Sequence, residues 1–306
     1  MITLERASRW YGQVVALNDV SCTVNAGITA LLGPNGAGKS SLLKLVTGQI
    51  RTTTGTVRVL NLSPFANPAV YKRLGYCPEL ESAYEEQTGR QFVTFMAALA
   101  GIPTSERSSR VAAAIEKVAM TAAADRKMGG YSKGMRQRIK VAQAIVHDPE
   151  VLILDEPLNG LDPVGRRDIG NILLELGAVG KCIVISSHIL HEVEHLTRNI
   201  LLLHKGRLLA QGDIYAIRAL IDKHPHKVQL ECEKSRQLAQ TLVGMESVVS
   251  VRIDRDNRSL VEIETPTPDK FYADLPGIVD RDGLEISAFH SPDNNLEAVF
   301  NYLVQS

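Results

Sequence analysis

The sequence lacks a net charge, since its 34 lysines and arginines balance its 34 aspartates and glutamates. A protein that mainly binds nucleic acid needs a basic surface to neutralise phosphates, so this balance argues against that class. The charge is uneven along the chain, because the segment from Lys227 onward is net acidic and the part before it is net basic. We therefore expect an anionic ligand in the first part and no nucleic-acid partner.

The sequence also lacks a long apolar run. A membrane-spanning helix needs about 20 apolar residues, and the longest candidates, residues 92–102 and 151–154, are shorter or interrupted. Residues 1–5 are typical of a strand and not of a secretory signal peptide. We expect a chain that is soluble by itself, with enough apolar residues (44%) for a sizeable core.

Cysteine is scarce as well. Cys22, Cys77, Cys182 and Cys232 are far apart and form no Cys-x-x-Cys pair. Such a set predicts buried free thiols in a reducing cytosol, and not a disulfide framework or a metal site. The chain shows no internal repeat and no low-complexity tract.

The apolar residues that are present indicate strands alternating with helices. Residues 28–32 form an apolar run before a glycine-rich loop, and residues 151–154 and 182–185 are uninterrupted apolar runs. Strands without polar alternation are buried on both faces, as in a parallel sheet covered by helices. The stretch from about 85 to 130 is predicted to be helical.

The pattern changes near residue 225, where His224-Pro225-His226 interrupts it. We therefore predict a domain boundary between residues 224 and 225. The order that follows is strand 228–232, helix 234–243, strands 247–253 and 259–264, a helix near 267–275 and a strand near 284–290, with a further helix from 295. Strand-helix-strand-strand-helix-strand is typical of a small ferredoxin-like α+β module, which we interpret as an accessory domain over 225–306.

A glycine-rich loop at residues 33–40 (GPNGAGKS) matches the pattern G-x-x-x-x-G-K-[ST]. Glycines let such a loop wrap a phosphate with backbone N–H groups, and the following helix directs its positive N-terminal end at the anion. Lys39 is expected to reach the terminal phosphates and the Ser40 hydroxyl to hold Mg²⁺. An ordinary strand-to-helix turn is the alternative. The candidate nucleotide-binding residues are Gly33, Pro34, Asn35, Gly36, Ala37, Gly38, Lys39, Ser40 and Ser41.

Two adjacent carboxylates, Asp155 and Glu156, come directly after the apolar run 151–154. Ligands of open α/β sheets bind outside the carboxyl ends of the strands. We expect Asp155 to orient Mg²⁺, directly or through water, and Glu156 to polarise the attacking water, since phosphoryl transfer depends mainly on positioning and charge stabilisation.

Residues 131–138 (YSKGMRQR) resemble the signature motif of ABC ATPases. Residues 158–163 (LNGLDP) are similar to the D-loop of that family, and residues 185–188 (ISSH) to its switch histidine at a strand end. The order and spacing match over about residues 1–215. The resemblance implies an α/β P-loop NTPase domain of the ABC type over residues 1–224, with a helical subdomain at about 85–140.

The resemblance implies a head-to-tail dimer that closes on ATP. Tyr11 matches the aromatic residue that stacks on adenine, and His188 would hold the γ-phosphate and the attacking water. Asp162 would link the two sites across the interface. The residues that would contact the γ-phosphate bound to the opposite protomer are Ser132, Lys133 and Gly134.

The chain departs from the usual family pattern at three positions. Lys133 and Met135 stand where the signature usually has glycine and glutamine, and Glu79 stands where many members have glutamine. Glu79 can still reach Mg²⁺ through water. These variants resemble ATPases of two-part exporters with separate membrane subunits, which implies permease partners docking near residues 79–100. It also implies a cytoplasmic chain on the inner face of the membrane, as a homodimer or paired with a second ABC ATPase.

Two other functions compete with this interpretation. Residues 191–195 (HEVEH) match the zinc-peptidase pattern H-E-x-x-H, although no nearby segment offers a third ligand. The other alternative is an ABC ATPase acting on ribosomes or DNA, whose usual second ATPase domain, coiled-coil insertion or basic arms are missing here.

Overall fold

The structure is a computed structural model that describes residues 1–79, 84–188, 193–219 and 225–292. The chain divides into two compact units, residues 1–213 and 214–306. The expectation from the sequence placed a boundary between 224 and 225. In the structure the second unit begins earlier, because the short helix α7 (Ile214–Ala219) belongs to it.

The first unit alternates strands and helices. Its strands are β1 (Ile2–Tyr11), β2 (Val14–Val24), β3 (Gly27–Leu32), β4 (Thr54–Val59), β5 (Leu74–Cys77), β6 (Val151–Leu154), β7 (Cys182–Ser187), β8 (Asn199–His204) and β9 (Arg207–Asp213). Its helices are α1 (Lys39–Val46), α2 (Pro68–Tyr71), α3 (Gly89–Leu99), α4 (Thr104–Lys117), α5 (Lys133–Ile145) and α6 (Pro163–Ala178).

A six-stranded sheet in the order β5-β6-β7-β3-β8-β9 forms the centre of this unit. Its first five strands are parallel, and β9 runs antiparallel to β8. Strands β6 and β7 are buried along their whole length, which confirms the expectation from their uninterrupted apolar runs. Leu154 pairs with Ile185, so the residues that follow β6 and β7 meet at one edge of the sheet.

A second, antiparallel sheet in the order β2-β1-β4 shares a core with the first. One buried cluster combines Leu4 of this sheet with Leu43 of α1 and with Ile153 and Leu201 of the central sheet. Fully burying one such aliphatic side chain contributes roughly 1.5–3 kcal/mol. Helix α1 is therefore fixed by both sheets, and so is the glycine loop that precedes it.

The stretch of about 85–130 that was predicted to be helical contains α3 and α4, and the start of α5 lies within the helical subdomain expected at about 85–140. Helix α3 begins at a capping box, because the Thr88 side chain accepts a hydrogen bond from the Gln91 N–H and the Gln91 side chain accepts one from the Thr88 N–H. None of the helices in the described ranges combines the length and apolar character that a membrane span requires. The four cysteines are free and buried, as expected.

The second unit continues with β10 (His226–Glu231), α8 (Ser235–Val243), β11 (Ser250–Ile253), β12 (Leu260–Thr265), α9 (Pro268–Arg281) and β13 (Ala288–His290). The element order is the predicted one, and the strands form an antiparallel sheet in the order β11-β12-β10-β13. Helix α9 is longer than predicted and continues past Pro276, since Phe271 before the proline and Val279 after it both pack in the core of this unit. Strand β13 is shorter than predicted, and the helix expected from residue 295 lies outside the described residues.

Candidate active site

The glycine-rich loop connects β3 to α1 and needs glycine where its backbone passes close to neighbours. Gly38 has a φ of 106°, and a Cβ there would lie 2.5 Å from the Ala16 carbonyl oxygen. Gly33 has a φ of 151°, and a Cβ there would lie 2.3 Å from the Leu203 carbonyl oxygen. The loop therefore holds a conformation that an L side chain would disrupt.

Lys39 is the first residue of α1 and lies inside the curve of this loop. It is only 8% exposed, and its Nζ donates a hydrogen bond of 2.7 Å to the Gly33 carbonyl oxygen. Burial lowers the pKa of Lys39, while the nearby carboxylates of Glu156, Asp155 and Glu79 act in the opposite direction. A cation held in a glycine loop beside carboxylates is suited to a ligand that carries both negative charge and a metal ion.

Asp155 and Glu156 follow β6 directly, as the sequence predicted. Asp155 is 4% exposed. Glu156 has a φ of 50°, a left-handed backbone conformation that is uncommon for a residue other than glycine and that often occurs at functional sites. Burial raises the pKa of Glu156, with hydrogen bonding to His188 opposing this shift. A carboxylate with a raised pKa is a stronger base, which suits activation of a water molecule.

His188 lies immediately after β7, beside this acidic pair. Its Nδ1 is 3.0 Å from Glu156 Oε1. Two residues earlier, the hydroxyl of Ser186 donates to Asp155 Oδ1 at 2.5 Å and accepts a hydrogen bond of 2.9 Å from the Glu156 N–H. The Ser186 side chain thus links the ends of β6 and β7 by hydrogen bonds, in addition to the backbone pairing between these strands.

These groups line one cleft of about 360 Å³. The predicted residues among its lining are Pro34, Asn35, Gly36, Ala37, Gly38, Lys39, Ser40, Ser41, Glu79, Asp155, Glu156 and His188. Val14, Val15 and Ala16 line it too, which the sequence analysis did not anticipate. Tyr11 does not line the cleft; it is 42% exposed, and the Arg9 guanidinium lies 4.7 Å from its ring centroid.

Glu79 is held near the cleft by helix α5. Lys140 Nζ donates hydrogen bonds of 2.8 Å to the carbonyl oxygens of both Pro78 and Glu79. On the same helix, the Gln143 side chain donates to the Tyr76 carbonyl oxygen at 2.6 Å. These anchors were not predicted from the sequence, although polar residues on the buried side of an amphipathic helix are a signal for such contacts.

The signature residues form a second group, outside the cleft lining. The Ser132 hydroxyl accepts a hydrogen bond of 3.2 Å from the Met135 N–H and so caps α5. Lys133 Nζ lies 3.4 Å from Asn159 Oδ1, and Gly134 follows it in the first turn of α5. Asp162 caps α6 by accepting a hydrogen bond of 2.7 Å from the Gly165 N–H. In a single chain, the predicted site residues are therefore divided between two places.

The oxygen donors in the cleft fit a small divalent cation. Ser40, Asp155 and Glu79 all contribute to its lining, and hydroxyl and carboxylate oxygens, completed by phosphate and water, are the ligands that Mg²⁺ prefers.

His191 and Glu192 of the H-E-x-x-H match lie outside the described residues. Among the residues that are described, no group of three or more His, Cys, Asp or Glu side chains could hold a metal ion.

A parallel sheet, a glycine loop that follows β3 and encloses a lysine, and paired acids at the end of β6, two strands away in the sheet, define a P-loop ATPase domain. The family model described as ABC transporter matches residues 17–159. The daunorubicin/doxorubicin resistance ATP-binding protein DrrA of Streptomyces peucetius is 30% identical over 294 residues, which are 95% of this chain and 88% of that protein. The chain belongs to the ABC transporter ATP-binding proteins.

Two further similarities support this assignment. The uncharacterized ABC transporter ATP-binding protein all4389 of Nostoc sp. is 43% identical over 213 residues, which cover 68% of this chain and 63% of that protein, less than two thirds of its length. A solved structure of the ATP-binding subunit of an ABC transporter is 28% identical and superposes with a TM-score of 0.67. That similarity covers 72% of this chain and 92% of the solved one.

Proposed function

We propose that this chain hydrolyses Mg²⁺-ATP to power a membrane transporter, and that this transporter is an exporter. Its membrane-spanning subunits would be separate chains, and this chain would bind them at the inner face of the membrane. The observation that carries the proposal is the convergence of Lys39, Asp155, Glu156 and His188 on one cleft. Two measurements test it: Mg²⁺-dependent release of phosphate from ATP by the purified chain, and co-purification of a membrane subunit with this chain.

The cleft residues supply the groups that phosphoryl transfer requires. The loop N–H groups and Lys39 hold the phosphates, and Glu156 orients and activates the attacking water. His188, hydrogen-bonded to Glu156, is placed to hold both the water and the γ-phosphate. Mg²⁺, bound through Ser40, Asp155 and Glu79, would neutralise phosphate charge. Positioning and charge stabilisation of this kind account for most of the catalysis of phosphoryl transfer.

The second group of site residues supports a head-to-tail dimer. Ser132 caps α5, and Lys133 and Gly134 form the first turn of that helix, where backbone N–H groups lack partners within the helix and attract anions. Because these residues do not line the chain's own cleft, we propose that they complete the cleft of another protomer. Tyr11, three residues before the cleft-lining Val14, would stack on an adenine that extends beyond the cleft, and Asp162 would lie at the interface.

A groove along helix α3 supports a membrane partner. It has a volume of about 350 Å³ and is lined by Phe92, Met96 and Leu99 of α3, with Arg136 and Lys140 of α5 at its polar side. Leu99 is 69% exposed. This is the stretch where the sequence predicted docking, and its apolar lining with basic neighbours fits a short cytoplasmic helix of a permease that carries apolar and acidic side chains.

The direction of transport is proposed from two similarities. The signature variants Lys133 and Met135, with Glu79, resemble those of two-part exporters, and one relative is named for resistance to daunorubicin and doxorubicin. Inside-out vesicles containing the chain and its membrane subunit should accumulate cargo when ATP is added outside. Accumulation by right-side-out vesicles loaded with ATP would instead indicate an importer.

The docking groove can be tested with one substitution and a matched control. Leu99→Glu places a charge in the groove and should abolish co-purification with the membrane subunit, while leaving ATP hydrolysis by the isolated chain intact. Val179→Glu alters an equally exposed apolar residue (73%) after helix α6 and should leave co-purification unchanged. Retention of the membrane protein by the Leu99 variant would contradict docking at this groove.

A further inference from the structure

Ser186 is hydrogen-bonded to both residues of the acidic pair, Asp155 and Glu156. It lies in β7 with no exposed surface, next to β6 through the parallel pair of Leu154 and Ile185. Its hydroxyl donates to Asp155 Oδ1 at 2.5 Å. The same oxygen accepts a hydrogen bond of 2.9 Å from the Glu156 N–H.

A serine hydroxyl has one proton to donate and lone pairs that accept. The Ser186 hydroxyl donates its proton to the Asp155 carboxylate and accepts the N–H of Glu156 with a lone pair. One buried oxygen atom therefore fixes both the Asp155 side chain and the Glu156 peptide. Because Asp155 Oδ1 is engaged by Ser186, the orientation of the carboxylate is set. Asp155 also lines the cleft, and no hydrogen bond within the described residues involves its other oxygen, Oδ2, which can therefore serve a ligand there.

The bond to the Glu156 N–H also acts on backbone conformation. Glu156 has a φ of 50°, which a residue other than glycine adopts only when its surroundings hold it there. The Ser186 hydroxyl holds the N–H of this peptide, and the Asp155 N–H is bonded to the Cys77 carbonyl oxygen at 2.8 Å. The direction in which the Glu156 side chain leaves the backbone therefore depends on these two contacts.

We propose that Ser186 is a positioning residue, whose hydroxyl sets the Asp155 carboxylate and the Glu156 peptide in the geometry needed for ATP hydrolysis. This inference rests on the roles proposed for Asp155 and Glu156. Ser186 does not contact the nucleotide in this account. Its removal should reduce turnover and the response to divalent cations, but not the affinity of the glycine loop for phosphates.

The test compares Ser186→Ala and Ser186→Cys with the unmodified chain. Misplacement of a reacting group by about 1 Å can reduce the rate by roughly 10²-fold, so kcat of Ser186→Ala should fall at least about tenfold while the KM for ATP stays nearly constant. Cysteine is similar in size to serine, but its S–H is a weaker hydrogen-bond donor. The kcat of Ser186→Cys should therefore lie between those of the unmodified chain and Ser186→Ala. Should the alanine variant not fold, the comparison of cysteine with serine still decides, since a packing role predicts equal kcat.

A second readout is independent of turnover. Mn²⁺ replaces Mg²⁺, and its electron paramagnetic resonance spectrum with bound nucleotide is recorded for each variant. We expect Ser186→Ala to weaken Mn²⁺ binding in the nucleotide complex and to broaden its spectrum, because the Asp155 carboxylate is no longer oriented. Fluorescent ATP measured without a divalent cation should bind with unchanged affinity.

The control is Thr47→Val, which removes a buried hydroxyl outside the cleft lining that donates to the Leu43 carbonyl oxygen at 2.8 Å and accepts from the Gln49 side chain at 2.8 Å. It should leave kcat and the Mn²⁺ spectrum unchanged. Equal effects of the Thr47 and Ser186 substitutions, or normal kcat in Ser186→Ala, would overturn the positioning role. If the unmodified chain neither binds nor hydrolyses ATP, it is the proposed function that fails.

Discussion

Replacing Glu156 with glutamine separates ATP binding from ATP hydrolysis. Glutamine has the same shape, and its side-chain oxygen can still accept a hydrogen bond from His188 Nδ1, which lies 3.0 Å from the glutamate oxygen. The backbone bond to Ser186 is unaffected, because it uses the Glu156 N–H. The substitution removes only the charge and the basicity of the carboxylate, so the fold and the phosphate contacts should persist.

The magnitude follows from the role of the residue. A positioned general base contributes about 10²–10⁴-fold in rate, which corresponds to roughly 2.7–5.4 kcal/mol of activation free energy. We therefore expect kcat of Glu156→Gln to fall by that factor. ATP affinity should be equal or higher, because a negative charge near the triphosphate is lost.

Phosphate release at saturating Mg²⁺-ATP measures the first quantity, and calorimetric titration with ATP measures the second. The matched control is Glu150→Gln, since Glu150 precedes β6 at its opposite end and pairs with Arg73 on the surface. This control should retain normal turnover. If Glu156→Gln also hydrolysed ATP within about threefold of the unmodified rate, Glu156 would not be the base and the reasoning from the cleft would be refuted.

Three further predictions concern the loop, the dimer and pH. Gly38→Ala should weaken ATP binding by about tenfold or more relative to Gly36→Ala in a fluorescent-nucleotide assay. Both glycines have a positive φ, but only a Cβ added at Gly38 would clash with a backbone atom. Equal affinities of the two variants would contradict this. Glu156→Gln with ATP should form a dimer of twice 33.4 kDa by light scattering, which Ser132→Arg abolishes; an unaffected dimer would exclude Ser132 from the interface. Burial lowers the pKa of His147, so the folded chain should be fully stable above about pH 6.5 and lose stability below it, where the unfolded chain binds the proton more readily. The Tm of His147→Gln should therefore decrease less from about pH 8 to pH 5.5 than the Tm of the unmodified chain. An identical decrease would exclude His147 as a cause.

The sequence was sufficient to predict the parts of the site that depend on local patterns. The loop at residues 33–40 has the composition that a phosphate-wrapping turn requires, and Asp155 and Glu156 follow an apolar strand whose burial on both faces could be inferred from its lack of polar alternation. The element order of the second unit was also predictable from short-range alternation and from the turn residues between its strands.

Features that depend on register and tertiary contact could not be predicted in the same way. The bond between Ser186 and Asp155 exists because β6 and β7 are adjacent and parallel, which the residue types alone do not establish. Lys140 contacts the Glu79 carbonyl oxygen across more than sixty residues of sequence. Helix α9 continues past Pro276, against local propensity, because its core contacts outweigh the lost hydrogen bond.

The central claim is that the glycine loop and Lys39 bind the phosphates of ATP. Isothermal titration calorimetry of the purified chain with ATP and Mg²⁺ tests it most directly, with Lys39→Ala as the comparison. We predict saturable binding of one ATP per chain at concentrations well below millimolar, and loss of this binding in the Lys39 variant. No binding to the unmodified chain at millimolar ATP, or equal binding to both, would contradict it.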